Sequence, residues 1–117
     1  MRIILTIVAL LFAASSPAFA HAHLDHASPA VGSTVAQAPK EVVLWFTNKL
    51  EGTFSSIEVR DQKGAVVSSG KASVGGDGTQ MRVSLKILPA GTYKVMWRVL
   101  SVDTHRTQGD FTFRVGP

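Results

Sequence analysis

From residue 80 onward the chain alternates. Met81, Val83 and Leu85 are interleaved with Gln80, Arg82, Ser84 and Lys86. Tyr93, Val95, Trp97 and Val99 are interleaved with Lys94, Met96, Arg98 and Leu100, and Phe111, Phe113 and Val115 with Asp110, Thr112 and Arg114. A period of two sends one set of side chains to a core and the other to water, the signature of a half-buried strand. Residues 41–47 and 54–60, rich in β-branched and aromatic side chains, read as two more strands, and Gln62-Lys63-Gly64 as a turn leading into residues 65–68. Turn residues punctuate the runs at Ser28-Pro29, Gly52, Gly75-Gly76-Asp77-Gly78 and Pro89-Ala90-Gly91. No helical period competes with them. The pattern predicts an all-β domain, a Greek-key β-barrel or sandwich. Trp45 and Trp97, as strand aromatics, are expected in its core.

The first twenty residues follow a different pattern. Arg2 is followed by an apolar run over residues 3–12, and Ala18-Phe19-Ala20 has the small-x-small form of a cleavage site. This is the anatomy of a secretory signal peptide, with an apolar run too short for a transmembrane helix of about 20 residues. No later stretch reaches that length, so the mature chain is expected to be exported and not membrane-embedded. Cleavage after Ala20 leaves residues 21–117, enough for one domain with a workable core. That domain begins at His21 with a free α-amine.

Composition narrows the chemistry. The chain has no cysteine. It must therefore hold together by packing, and thiolate zinc sites, iron–sulfur clusters and the usual blue-copper site are excluded. The formal charge of +4 comes from scattered Lys and Arg residues with no basic stripe, so nucleic acid is not an expected partner. The glycine-rich loop at 75–78 lacks the Lys-Ser/Thr and the helix that a phosphate-binding loop needs.

The four histidines carry the remaining chemistry: His21, His23, His26 and His105. His21 and His23 are two residues apart, as are Asp103 and His105, and in extended chain that spacing puts both members on one face. A donor set of imidazoles, one carboxylate and a terminal amine, without sulfur, suits Cu(II), which favours tetragonal N,O coordination and heads the divalent affinity order. The α-amine, with a pKa of about 7.7–8, can be deprotonated by a metal near neutral pH. His26 has the opposite parity and reads as a surface histidine, with Asp25 as a surface acid. A rival remains open: a free N-terminus with histidine third, His21-Ala22-His23, can bind Cu(II) or Ni(II) through the amine, two deprotonated amides and the His23 ring. That site needs no fold and leaves Asp103 and His105 idle.

Several segments are similar to the CopC family of periplasmic copper-resistance proteins (the CopC/YobA-type domain). They are His21-Ala22-His23-Leu24, Ser28-Pro29-Ala30 with Gly32-Ser33, Val43-Leu44-Trp45-Phe46, and the long stretch from Pro89-Ala90-Gly91-Thr92-Tyr93 through Asp103-Thr104-His105 to Phe111-Thr112-Phe113. The resemblance implies a Greek-key β-barrel of about seven strands, cupredoxin-like or Ig-like, that binds Cu(2+) without catalysis. It carries the metal site to His21, His105 and Asp103, with His23 added. Some relatives also have a methionine-rich loop for Cu(I). Beyond Met1 this chain has only Met81 and Met96, both in expected strands, so a Cu(II)-only member is expected. The implied role is a periplasmic, monomeric copper carrier or buffer, with the copper ion and a separate inner-membrane copper transporter as partners. The alternative is a copper-dependent oxidative enzyme with an N-terminal histidine brace, like a lytic polysaccharide monooxygenase. Asp103 and His23 argue against it, because they crowd the open position that a catalytic metal must keep.

Overall fold

The computed structural model describes residues 22–117. The leader assigned to residues 1–20 and the ligand assigned to His21 lie outside the described residues. Eight strands follow in order: β1 Leu24–Ser28, β2 Thr34–Val35, β3 Glu41–Phe46, β4 Ser56–Arg60, β5 Ser68–Gly75, β6 Gln80–Leu85, β7 Gly91–Leu100 and β8 Arg106–Val115. A single 3-10 turn, Gly52–Phe54, precedes β4. The strands form two four-stranded sheets, β1-β3-β6-β5 and β2-β8-β7-β4. All pairings are antiparallel except that of the two-residue β2 with β8. This is the all-β sandwich expected, with β2 as the extra strand. Among the described residues no helix is long and apolar enough to cross a membrane.

The alternation in the last third of the chain translates directly into packing. Met81 and Val83, beside Val42, Leu44 and Phe46 of β3 in one sheet, and Tyr93, Val95, Trp97, Val99, Phe111, Phe113 and Val115 of the other sheet are all buried in one core. Each such burial contributes about 1.5–3 kcal/mol. Strands β7 and β8 pair without a break from Gly91↔Val115 to Leu100↔Arg106, so they form one long hairpin. At its start the Tyr93 hydroxyl donates to the Pro89 carbonyl at 2.5 Å, closing the corner by which the chain enters the second sheet. Near its other end the Trp97 ring lies over Gly109, where a Cβ would come within 2.6 Å of the indole. Trp97 meets Phe46 of the opposite sheet edge-on, with ring centroids 5.1 Å apart.

Three expectations are corrected. Trp45 is not in the core: Val42, Leu44 and Phe46 take the inward parity of β3, so Trp45 falls on the outer face. There it stacks on His26, its cross-strand neighbour in β1, at 4.3 Å. Phe54 does not begin a strand. It closes the 3-10 turn and is exposed, because Ile57 and Val59 occupy the inward parity of β4 and Phe54 has the other. The segment expected to follow the turn at residues 65–68 forms its strand later, as β5 over Ser68–Gly75, which has no clear period in the sequence. Its pairing with β6 shifts between Ser69 and Ser73, around Gly70 at φ +78°, and only Ala72 and Val74 reach the core from it.

Candidate metal centre

The hairpin connection between β7 and β8, residues 101–105, carries Asp103 and His105. Their proximity arises differently from the extended spacing expected. Thr104 N–H donates to the Ser101 carbonyl at 2.8 Å, closing a β-turn, and Thr104 itself adopts φ +73°. A left-handed β-branched residue stores on the order of 1–3 kcal/mol of strain and persists only where its surroundings enforce it. Here the enforcing residue is Ser101, fully buried on the inward parity of β7. Its hydroxyl donates to Asp103 Oδ1 and accepts from the His105 N–H at 3.3 Å, while its own N–H donates to the His105 carbonyl at 2.9 Å. The loop is also tied outward, by Val102 N–H to the Lys49 carbonyl at 2.9 Å.

Asp103 Oδ1 lies 3.4 Å from His105 Nδ1, longer than an ordinary hydrogen bond but well within electrostatic contact. The Ser101 hydroxyl holds the Asp103 carboxyl below its usual range; partial desolvation opposes this, and His105 adds smaller lowering effects. His105 Nδ1 is shielded from solvent although the side chain as a whole is 39% exposed. The face of the ring open to an incoming metal is therefore the one bearing Nε2, with the inner nitrogen turned to a carboxylate.

The chain enters this end of the sandwich from the other sheet. Ala22 is fully buried, and its carbonyl accepts from Thr107 Oγ1 at 2.7 Å. His23 N–H donates to Thr47 Oγ1 at 2.9 Å, and Thr47 N–H returns a bond to the His23 carbonyl at 2.9 Å. With Ala22 and Leu24 turned toward the core, the His23 side chain is exposed. Thr107 lies two residues beyond His105. The structure thus brings Asp103 and His105 together and anchors residue 22 beside them. Among the described residues no three His, Cys, Asp or Glu groups gather as a metal site, and His23 does not join the pair to form one.

Asp25 and His26 form a separate exposed pair, Nδ1 to Oδ2 at 2.7 Å, on the outer face with Trp45. Met81 is buried in the core, while Met96 is half-buried on the opposite parity of its own strand. Three residues of the site region escaped sequence reasoning: Ser101, Thr107 and Thr47. For two of them a signal existed. Ser101 continues the inward parity 93, 95, 97, 99, and Thr107 begins the inward parity that runs to Val115. A polar residue on a core parity must find a partner.

The CopC domain model matches residues 24–116. The chain belongs to the CopC family. This CopC-family domain is 38% identical over 99 residues to Protein YobA of Escherichia coli K12, covering 83% of this chain and 80% of that protein. It is 37% identical over 123 residues to Copper resistance protein C of Xanthomonas campestris pv. juglandis, covering 97% and 96%. Among solved structures it superposes on CopC from Methylosinus trichosporium OB3b with a TM-score of 0.78 at 36% identity, covering 83% of this chain and 95% of the other. One of these relatives is named for copper resistance.

Proposed function

We propose that the chain loses residues 1–20 on export to the periplasm and there binds one Cu(II) ion as a monomeric, non-catalytic carrier or buffer. The ligands are the α-amine and ring of His21, the ring of His105 and the carboxylate of Asp103, with His23 as an additional donor. The observation that carries this reading is the 2.7 Å bond between Thr107 Oγ1 and the Ala22 carbonyl. Consecutive Cα atoms are about 3.8 Å apart, so a terminal His21 starts one residue from a point tied two residues beyond His105. The donor set is nitrogen and oxygen only, which favours Cu(II) among the available metals. Three relatives are named for copper resistance and one, CutJ of Bacillus subtilis, for copper transport. A separate membrane copper transporter is the natural recipient.

The test is a Cu(II) titration of the exported protein beside His105→Ala, followed by EPR. The expected result is weakened binding and an altered spectrum in the variant; an unchanged affinity and spectrum would overturn the long-range site. Peroxide production from ascorbate well above that of free copper would overturn the non-catalytic part.

A further inference from the structure

Resting on that Cu(II) reading, we infer that Thr47 and Thr107 are specificity-determining residues. They hold the N-terminal segment in a form that excludes the local square-planar chelate, and so deny the site to Ni(II). The competing chelate takes its four nitrogens from the amine, the amides of Ala22 and His23, and the His23 ring. To form it, residues 21–23 must wrap in a plane around the metal with both amide protons removed.

The fold opposes this wrapping at residues 22 and 23. The His23 amide is engaged, its proton donated to Thr47 Oγ1 at 2.9 Å. The same residue's carbonyl is held by Thr47 N–H at 2.9 Å, so its peptide units are bonded on both sides as an extension of the β1–β3 pairing. Ala22 is fully buried among core residues, with its carbonyl held by Thr107 Oγ1 at 2.7 Å. Wrapping would pull Ala22 out of the core and break both threonine bonds. These bonds act on the backbone, not on the ring of His23 or His105. Cu(II) has the folded site as an alternative. Ni(II), which relies on deprotonated amides for its square-planar form, loses the most.

The experiment compares the exported protein, its N-terminus verified by mass spectrometry, with Thr47→Val, Thr47→Ser and Thr107→Val, and with a short peptide beginning His-Ala-His. Each is titrated with Ni(II) at neutral pH and followed by the yellow absorbance of the diamagnetic square-planar complex. The peptide should form it readily and the folded protein far less. Thr47→Val and Thr107→Val should each raise its formation by up to about tenfold, the worth of one net hydrogen bond. Thr47→Ser, which keeps the hydroxyl, should behave as the parent. Circular dichroism separates local release from global unfolding. The inference is overturned if the parent binds Ni(II) as readily as the peptide, or if folded Thr47→Val and Thr107→Val match the parent. It fails separately from the Cu(II) reading, because His105→Ala tests that site and leaves both threonines in place.

Discussion

Asp103 and His105 sit in a five-residue connection shaped by its own hydrogen bonds, whereas the segment entering at Ala22 is held by partners 24 and 85 positions away. The first half of the centre is a local object. Ser101 bonds to both Asp103 and His105 within four residues and keeps Thr104 in its left-handed conformation. The second half exists only because two sheets close on each other, Thr47 extending β3 and Thr107 standing near the start of β8. The difference teaches where each half is vulnerable. The hairpin half fails by losing its internal network, and the terminal half by changes in processing or in sheet-to-sheet contact.

The most severe break targets the terminal half alone. One residue added before His21 removes the amine–imidazole chelate while leaving Asp103 and His105 untouched. Copper affinity should fall by more than the roughly 10–100-fold that loss of an outer-shell partner costs, with a weak residual site detectable by Cu(II) titration. An equal affinity would show that the two halves do not cooperate.

Ser101→Ala attacks the hairpin half instead. It frees the Asp103 carboxylate and leaves the His105 N–H short of an acceptor in a buried setting. Cu(II) affinity should drop by about 10–100-fold, with about 1–3 kcal/mol lost from stability by denaturant titration. The terminal half should keep its bonds, visible as unchanged protection of the His23 amide in hydrogen exchange.

Gly109→Ala strikes the support common to both. Its Cβ would meet the Trp97 ring at 2.6 Å, and neither the sheet backbone nor the indole, packed against Phe46, can yield freely. Overpacking of this kind costs about 1–3 kcal/mol, read as a lower thermal midpoint. Copper affinity measured well below that midpoint should change little.

The smallest effect sharpens the comparison from the far end. Burial raises the Tyr93 phenol above its ordinary 10.0, with the charge of Asp61 adding to the effect. A group with a raised folded pKa contributes stability that is fully present below the unfolded value and is lost as pH rises through the folded one. Stability should therefore decline above about pH 10. Tyr93→Phe should lose about 0.5–1.5 kcal/mol with the Pro89 bond and flatten that alkaline limb in pH-dependent melts. Cu(II) binding should be unmoved.

Legibility in the sequence followed the number of faces each strand buries. Strands β6, β7 and β8 bury one face against a single core, so their alternation reads without ambiguity. Strand β5 carries a shift in register and few apolar side chains, and nothing in its Ser- and Gly-rich run marks it as a strand. Trp45 has the composition of a core residue and the parity of a surface one, and parity decided. In the centre, Asp103 and His105 were legible as a pair, though for the wrong local geometry: a tight turn, not an extended chain, brings them together.

What the sequence by itself determined was the strand hairpin, the absence of thiolate ligands and the identity of the candidate donors, because these follow from local periodicity and side-chain chemistry. What only the tertiary structure decided was company. The bonds from Thr107 to Ala22 and from Thr47 to His23 join positions far apart in the chain, and no local pattern encodes which distant hydroxyl a backbone group will meet. Closing the sandwich brings Ala22, just before β1, to Thr107 near the start of β8. Burial of Ala22 then makes that meeting stable, since removing it would expose an apolar residue and strand the hydrogen-bonding groups around it.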